Sequence, residues 1–314
     1  MKYIGRILVI VLCAAVAIAF AFLSKMLPER SHNEWISFST SDSNLKLVNE
    51  SSAELKQADK IKIDLSLEEI VLMPTEKDIV EVKEYINYDP ADNDPIVIDS
   101  DGSIITIRDT NVNHNWFPQM NKRKKIEIYL PDSFEQNLDI DLKSGELEAT
   151  MDLKLKNFDI ELSSGDIELL QVTAEKTIID VKSGHLTIEK LDSEQDVQVS
   201  SGYAGIKDGS GNASYICFSG DIEVTNQKGV VEAEVSSGEI DLTLGEASGS
   251  FKTSSGSLSA DIDRVTGDLE MDVTSGDVEV NIPEDTTFEF EGNIRSGSID
   301  TYFDCDGDEH HMKA

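Results

Sequence analysis

The sequence predicts an all-β protein: a parallel β-solenoid of about nine rungs of 18–21 residues, with a non-repeating β cap, preceded by one N-terminal transmembrane helix. Three observations predict it. Nine Ser-Gly pairs, from Ser144-Gly145 to Ser296-Gly297, follow one another at steps of 20, 19, 18, 18, 18, 18, 20 and 21 residues. Apolar residues alternate with polar ones on both sides of each pair. A single uninterrupted apolar run, Ile7 to Leu23, stands near the start.

A regular period over so long a stretch marks a repeat architecture. Two residues before the Ser stand Leu142, Leu162, Val181, Val199, Cys217, Val235, Thr253, Val273 and Ile294. Three after it stand Leu147, Ile167, Leu186, Ala204, Ile222, Ile240, Leu258, Val278 and Ile299, with a further inward set two positions on. Period-two alternation describes a strand with one buried and one wet face. Ser-Gly breaks it, because glycine turns the chain cheaply at positive φ. The unit is strand, corner, strand. An antiparallel meander of so many strands would leave a sheet too wide to stay open. Stacked rungs of near-constant length close one narrow core, each rung supported by its neighbours. The columns then predict that Val235→Asp or Val273→Asp unfolds the array, whereas Glu239→Lys is nearly silent.

Taken in order, residues 1–6 read as a cytoplasmic N-terminus and 7–23 as a transmembrane signal anchor. The 17-residue run makes about 25 Å of helix, the short end of a bilayer span. It continues past the small-x-small sites Ala17-Ile-Ala19 and Ala19-Phe-Ala21, which favours retention over cleavage. Residues 24–60 are polar and read as a stalk, with a short helix at Ser51–Lys60. Alternation begins at Ile61, and residues 61–135 read as a β cap over the first rung, as solenoid ends require. The solenoid follows over 136–303 and an acidic tail over 304–314. Cys13 lies in the apolar run, Cys217 on an inward position and Cys305 in the tail, so no disulfide framework is expected.

The formal net charge is −34; beyond Arg30 the chain carries 23 basic and 60 acidic residues. Such a surface repels nucleic acid and anionic headgroups, which excludes a phosphate-binding role. It suits a chain exported from the cell, single-pass at the membrane with its bulk extracellular.

The strand ending at Leu130-Pro131 and the Ser-Gly-Asp-Ile-Glu type repeats at Ser164, Ser219, Ser237 and Ser275 resemble the bacterial "putative adhesin" family of β-strand-repeat proteins, long filed as a domain of unknown function. The likeness covers roughly residues 60–303. The N-terminal anchor resembles that of LiaG-like members, found in Gram-positive bacteria beside cell-envelope stress systems. The resemblance implies an adhesive or envelope-sensing role with an envelope protein or wall component as partner. It brings no catalytic residues. The acidic residue after the corner glycine is replaced at His185, Tyr203 and Ser257.

No catalytic constellation stands out. Acidic residues follow the corner at Glu146, Asp166, Asp221, Glu239 and Asp277, and again at Glu148, Glu168, Glu223, Asp241 and Glu279. Stacked ~4.8 Å apart, neighbouring carboxylates repel by about 0.9 kcal/mol in water. A solvated acidic face is the expectation, with no cofactor; Ca²⁺ bridging the columns is the competing reading, because exposed carboxylates are its natural ligands. In the tail, Asp304, Asp306, Asp308, Glu309, His310 and His311 have the side chains a transition metal takes. An incidental acidic end is the simpler reading there. Trp116-Phe117 beside Lys122–Lys125 offers a contact patch or a cap corner. Lys182, Lys207, Lys228, Lys252, Arg264 and Arg295 are scattered, which argues against a polysaccharide-cleaving solenoid enzyme. A binding or scaffold protein is expected; the alternatives are that enzyme acting on wall polymers and a calcium-stabilised adhesive rod.

Overall fold

The computed structural model describes residues 44–56, 58–66, 68–110, 122–286, 291–293, 306–308 and 311–313. The chain divides into a unit of residues 1–43 and one of residues 44–314; only the second is described. The run Ile7–Leu23 and the corner Ser296-Gly297 therefore lie outside the described residues. Among those described, no helix is long and apolar enough to cross a membrane.

The second unit is all-β, a parallel solenoid of about eight turns. Its array comprises β8 (Asn137–Leu142), β9 (Gly145–Leu162), β10 (Asp166–Val181), β11 (His185–Val199), β12 (Tyr203–Ser210), β13 (Ala213–Cys217), β14 (Asp221–Val235), β15 (Glu239–Thr253), β16 (Ser257–Ile262), β17 (Val265–Val273) and β18 (Asp277–Asn281). Each long strand pairs in parallel, from its first residues to its last, with the turn before and the turn after. The inward residues stack as the sequence requires: Ile167, Leu186, Ala204, Ile222 and Ile240 form one column by direct register. Leu162, Val181, Val199, Cys217 and Val235 form another, each essentially inaccessible to solvent. Burying one such aliphatic side chain contributes roughly 1.5–3 kcal/mol.

Two expectations need correction. Val273 is 45% exposed whereas Val235 is fully buried, so the two valines are not equivalent. Corner glycines do not generally serve through positive φ. Only Gly145 (φ 115°) and Gly165 (φ 97°) among the described Ser-Gly corners adopt it. What the rest supply is proximity. A Cβ on Gly202, Gly220, Gly238 or Gly276 would lie 2.1–2.2 Å from the carbonyl oxygen of the corner glycine one turn earlier. The corners are hydrogen-bonded in the same direction: Tyr203 N–H donates to Gly184 O, Asp221 to Gly202 and Glu239 to Gly220, at 2.9–3.1 Å.

The cap comprises β1 (Lys46–Glu54), β2 (Lys60–Leu65), β3 (Glu68–Thr75), β4 (Ile79–Ile86), β5 (Ile96–Ser100), β6 (Ile104–Asp109) and β7 (Lys124–Pro131). The segment read as stalk and short helix contains β1, antiparallel to β4; alternation in Ser51–Glu54 is too short to show itself against a polar background. The boundary between cap and array also differs. β2 and β3 already form a rung, with Ile61, Ile63 and Leu65 under Leu138, Ile140 and Leu142 and Ile70 and Leu72 under Leu147 and Ala149. On their other side they pair in parallel with β6 and β7. The rung that comes first in sequence is thus inserted between the β6–β7 level and the β8–β9 level. The antiparallel strands β1, β4 and β5 finish the base. They satisfy edge groups that would otherwise invite pairing with another chain.

Candidate interaction surface

Outward side chains form columns because every rung repeats the same pleat. On the sheet after the corner, register places Glu69, Glu146 and Asp166 side by side, then His185, Tyr203, Asp221, Glu239, Ser257 and Asp277. Two residues further along run Glu148, Glu168, Thr187, Gly205, Glu223, Asp241, Ser259 and Glu279. All ten carboxylates expected after the corners are therefore brought onto one face, in separate blocks rather than one strip. His185 and Tyr203 part the first two blocks by stacking their rings, with centroids 4.4 Å apart and 16° between planes. Gly205 leaves the space that the Tyr203 ring occupies, and the Tyr203 hydroxyl donates to Glu223 Oε2 at 2.8 Å.

Crowding shows in the acidities. Burial first, and then the Asp166, Glu69 and Glu168 carboxylates, push the Glu146 carboxyl above its ordinary value. Burial followed by Glu223 and Asp221 does the same to Asp241. On the opposite sheet Asp141 is raised by burial, Asp64 and Glu161, and Asp159 by burial and Asp139. The scattered cations relieve this locally. Lys182 pairs with Glu161 and Lys207 with Glu189, while Arg264 holds Glu246 below the usual carboxylate range. Charge is uneven along the chain: residues 44–131 hold 11 basic and 17 acidic residues, and 132–314 hold 12 and 41.

The basic cluster is consumed within the cap. Lys122 reaches Asp92 at 3.1 Å and lies over the Tyr88 ring, Arg123 reaches Glu69 at 2.8 Å, and Lys124 reaches the fully buried Glu84 at 2.9 Å. Lys124 Nζ also stands 3.7 Å from Glu68, a residue 5% exposed. Burial and the Asp109 carboxylate push Glu68 up to about 8. Trp116 and Phe117 lie outside the described residues.

Two open grooves lie among the described residues. One groove of about 550 Å³ is lined by Leu55, Lys56, Ala58 and Asp59, by Gly102-Ser103 and by Ser133–Gln136. Another of about 500 Å³ is shared by Glu135, Gln136, Lys154–Lys156, Thr173 and Glu175. The first is lined by Asp59 and Glu135 with the Phe134 ring, the second by Glu135 and Glu175. In the tail, β20 (Asp306–Asp308) pairs with β21 (His311–Lys313), which pairs with β19 (Glu291–Asn293). Register sets Asp308 opposite His311. Asp304, Glu309 and His310 lie outside the described residues. Among the described residues no three His, Cys, Asp or Glu side chains converge as a metal site.

Sequence reasoning missed three inward polar residues, Gln195, Tyr215 and Gln227. Their positions within the repeat were the available signal: Tyr215 lies between Val197 and Ala233 and Gln227 beside Leu244, while Gln195 stands between Thr177 and Ala213.

Stacked parallel turns with charged outer faces define a β-solenoid. The chain belongs to the Toastrack DUF4097 family, whose model matches residues 58–253 and 231–313. No curated protein matches it. Among solved structures, a protein named "putative lipid binding protein" from Parabacteroides distasonis is similar over 76% of this chain and 97% of its own, with 16% identity and a TM-score of 0.57. A "putative adhesin" from Parabacteroides merdae is similar over the same shares, with 13% identity and a TM-score of 0.48. The likeness is one of fold.

Proposed function

We propose that this chain is a membrane-anchored, extracytoplasmic binding or scaffold protein of the bacterial cell envelope, acting in the envelope-stress setting of the LiaG-like proteins it resembles and without catalysis. The observation that carries the reading is the pair of flat outer faces. They repeat carboxylates at rung spacing in blocks along the array, a geometry suited to an extended partner rather than to an enclosed substrate. The names carried by structures of this fold, adhesin and lipid-binding protein, agree with a binding role. The concentration of acidic residues beyond residue 131 keeps the strongest charge far along the chain from the anchor. An envelope protein or a cationic wall component fits the faces by charge.

The test is topological and then functional. Full-length chain with a C-terminal epitope is expressed in a Gram-positive cell. The reading expects the epitope in the carbonate-washed membrane pellet, and its loss when protease is added to intact cells. A protected epitope or a soluble chain refutes it. Surface capture is then compared with a form in which Glu146, Asp166, Glu239 and Asp241 become Lys. Retained capture by that form would transfer the role to another surface.

A further inference from the structure

The array contains an ambiguity of its own making. Five successive corners, Ser183, Ser201, Ser219, Ser237 and Ser255, are spaced by identical steps of 18 residues, whereas the flanking steps are 19 to 21. Within the equal steps a rung can stack on the wrong neighbour, one turn looped out, and every corner still falls over a corner. Inward columns of interchangeable aliphatic residues scarcely discriminate between such stackings. Strand register is strongly specified only when a shift exposes or buries the wrong side chain, and a shift of one whole rung does neither.

Three of the buried polar residues lie in this zone, one in each of three consecutive rungs. Gln195 is 2% exposed, and Tyr215 and Gln227 are fully buried. The Tyr215 hydroxyl donates to Gln195 Oε1 at 2.9 Å and stands 3.3 Å from Gln227 Oε1. Gln195 Nε2 donates to Ser210 O at 3.2 Å and stands 3.4 Å from Gln227 Oε1. Gln227 Nε2 donates to Gly211 O at 2.7 Å. Space is cut to match. Gly209 stands in the column of Val172, Leu191 and Leu244, and a Cβ there would lie 1.8 Å from Gln227 Oε1. Tyr215 is followed in its column by Ala233, which separates it from Phe251.

We propose that the Gln195–Tyr215–Gln227 network is a register lock, which disfavours looping out any of the three equal-length rungs that carry it. Omitting the rung of residues 201–218 removes Tyr215 and the Ser210 and Gly211 carbonyls, and leaves both glutamines short of partners. Omitting residues 219–236 removes Gln227 and drives the Tyr215 ring against Phe251. Omitting residues 183–200 removes Gln195 and sets Tyr215 over Ile179. The first slip leaves amide groups short of partners in a core that has no water to offer them; the other two break the bonds to the glutamine removed and press the Tyr215 ring against a new neighbour.

The experiment reads register by disulfide formation in full-length protein refolded from urea in mild detergent, with Cys13, Cys217 and Cys305 replaced by Ala. In native register Asp196 pairs with Ser214, and Ser214 with Glu232. Cysteines at 196 and 214 should therefore cross-link, whereas cysteines at 196 and 232, two strands apart, exceed disulfide reach unless residues 201–218 have looped out. The apolar triple variant Gln195→Met, Tyr215→Phe, Gln227→Leu is expected to fold with native circular dichroism, yet to raise the 196–232 product about tenfold. Gln227→Leu alone should give an intermediate yield. A folded triple variant with no rise in that product overturns the proposal. So does failure of both the triple and the single variant to fold, because the network would then serve stability rather than register.

Discussion

Replacing Gly220 by Ala adds a single methyl group at the most confined point of the rung. That Cβ would lie 2.2 Å from Gly202 O, 2.7 Å from Val199 Cγ1 and 2.9 Å from Gly202 N. Two of these atoms are backbone of the preceding turn, so no rotamer change removes the overlap. The stack must open by about 1 Å to restore van der Waals contact. An opening of that size breaks or stretches the bonds from Phe218, Ser219 and Asp221 to Val199, Ser200 and Gly202, now 2.9–3.0 Å. At about 1 kcal/mol for each bond, with a further penalty where the group stays buried, the expected loss is roughly 3–5 kcal/mol. Gly267→Ala is the control: the nearest atom to its Cβ, Ser248 Cβ, is 3.1 Å away, and less than about 1 kcal/mol is expected. Urea unfolding followed by circular dichroism measures both, and hydrogen exchange at residues 199–223 localises the damage. If Gly220→Ala costs no more than Gly267→Ala, proximity is not what the corner glycines provide.

Other outcomes follow from the same geometry. Val235→Asp buries a carboxylate at a fully inaccessible position and should abolish cooperative unfolding, whereas Val273→Asp at a half-exposed site should cost much less. Glu239→Lys, beside Asp221, should change stability by less than about 0.5 kcal/mol. Folded Glu68 is raised from 4.5 to about 8. Its contribution is therefore fully present below pH 4.5 and lost as pH rises through 8, at up to about 1.4 kcal/mol per pH unit and roughly 4–5 kcal/mol in all. Glu68→Gln should flatten that part of the stability–pH curve; an unchanged slope would place the titration elsewhere. Thermal unfolding in millimolar Ca²⁺ should match that in NaCl of equal ionic strength, as screening of an acidic surface requires. A rise specific to Ca²⁺ would instead favour the calcium-stabilised rod.

The repeat was legible because stacking imposes one length and one inward pattern on every turn. Columns such as Leu162–Val181–Val199 and Glu148–Glu168 could be read from spacing alone and are paired in direct register. What escaped depends on relations that spacing does not encode. The insertion of β2–β3 between β6–β7 and β8–β9 is a matter of order in space, and nothing local to Ile61–Leu72 announces it. The reason for glycine at the corners belongs to the neighbouring turn, not to the turn's own dihedrals. The pairing of Lys122–Lys125 with acids of β3, β4 and the Pro90–Asp92 turn likewise joins residues more than one element apart. A basic tetrapeptide offers no sign of whom it will meet.

The inserted rung also decides how the molecule bears load. Tension that reaches the array from its C-terminal side can peel parallel turns off one after another. Each 18-residue turn releases about 60 Å of extended chain, so the array acts as an extensible series of weak links. The base responds differently. β2 and β3 are clamped between levels formed by residues that follow them in sequence, so a pull on the N-terminal side must shear both neighbours at once. The two ends of one repeat stack are thereby given opposite mechanical characters: a tether that pays out stepwise, and a rivet.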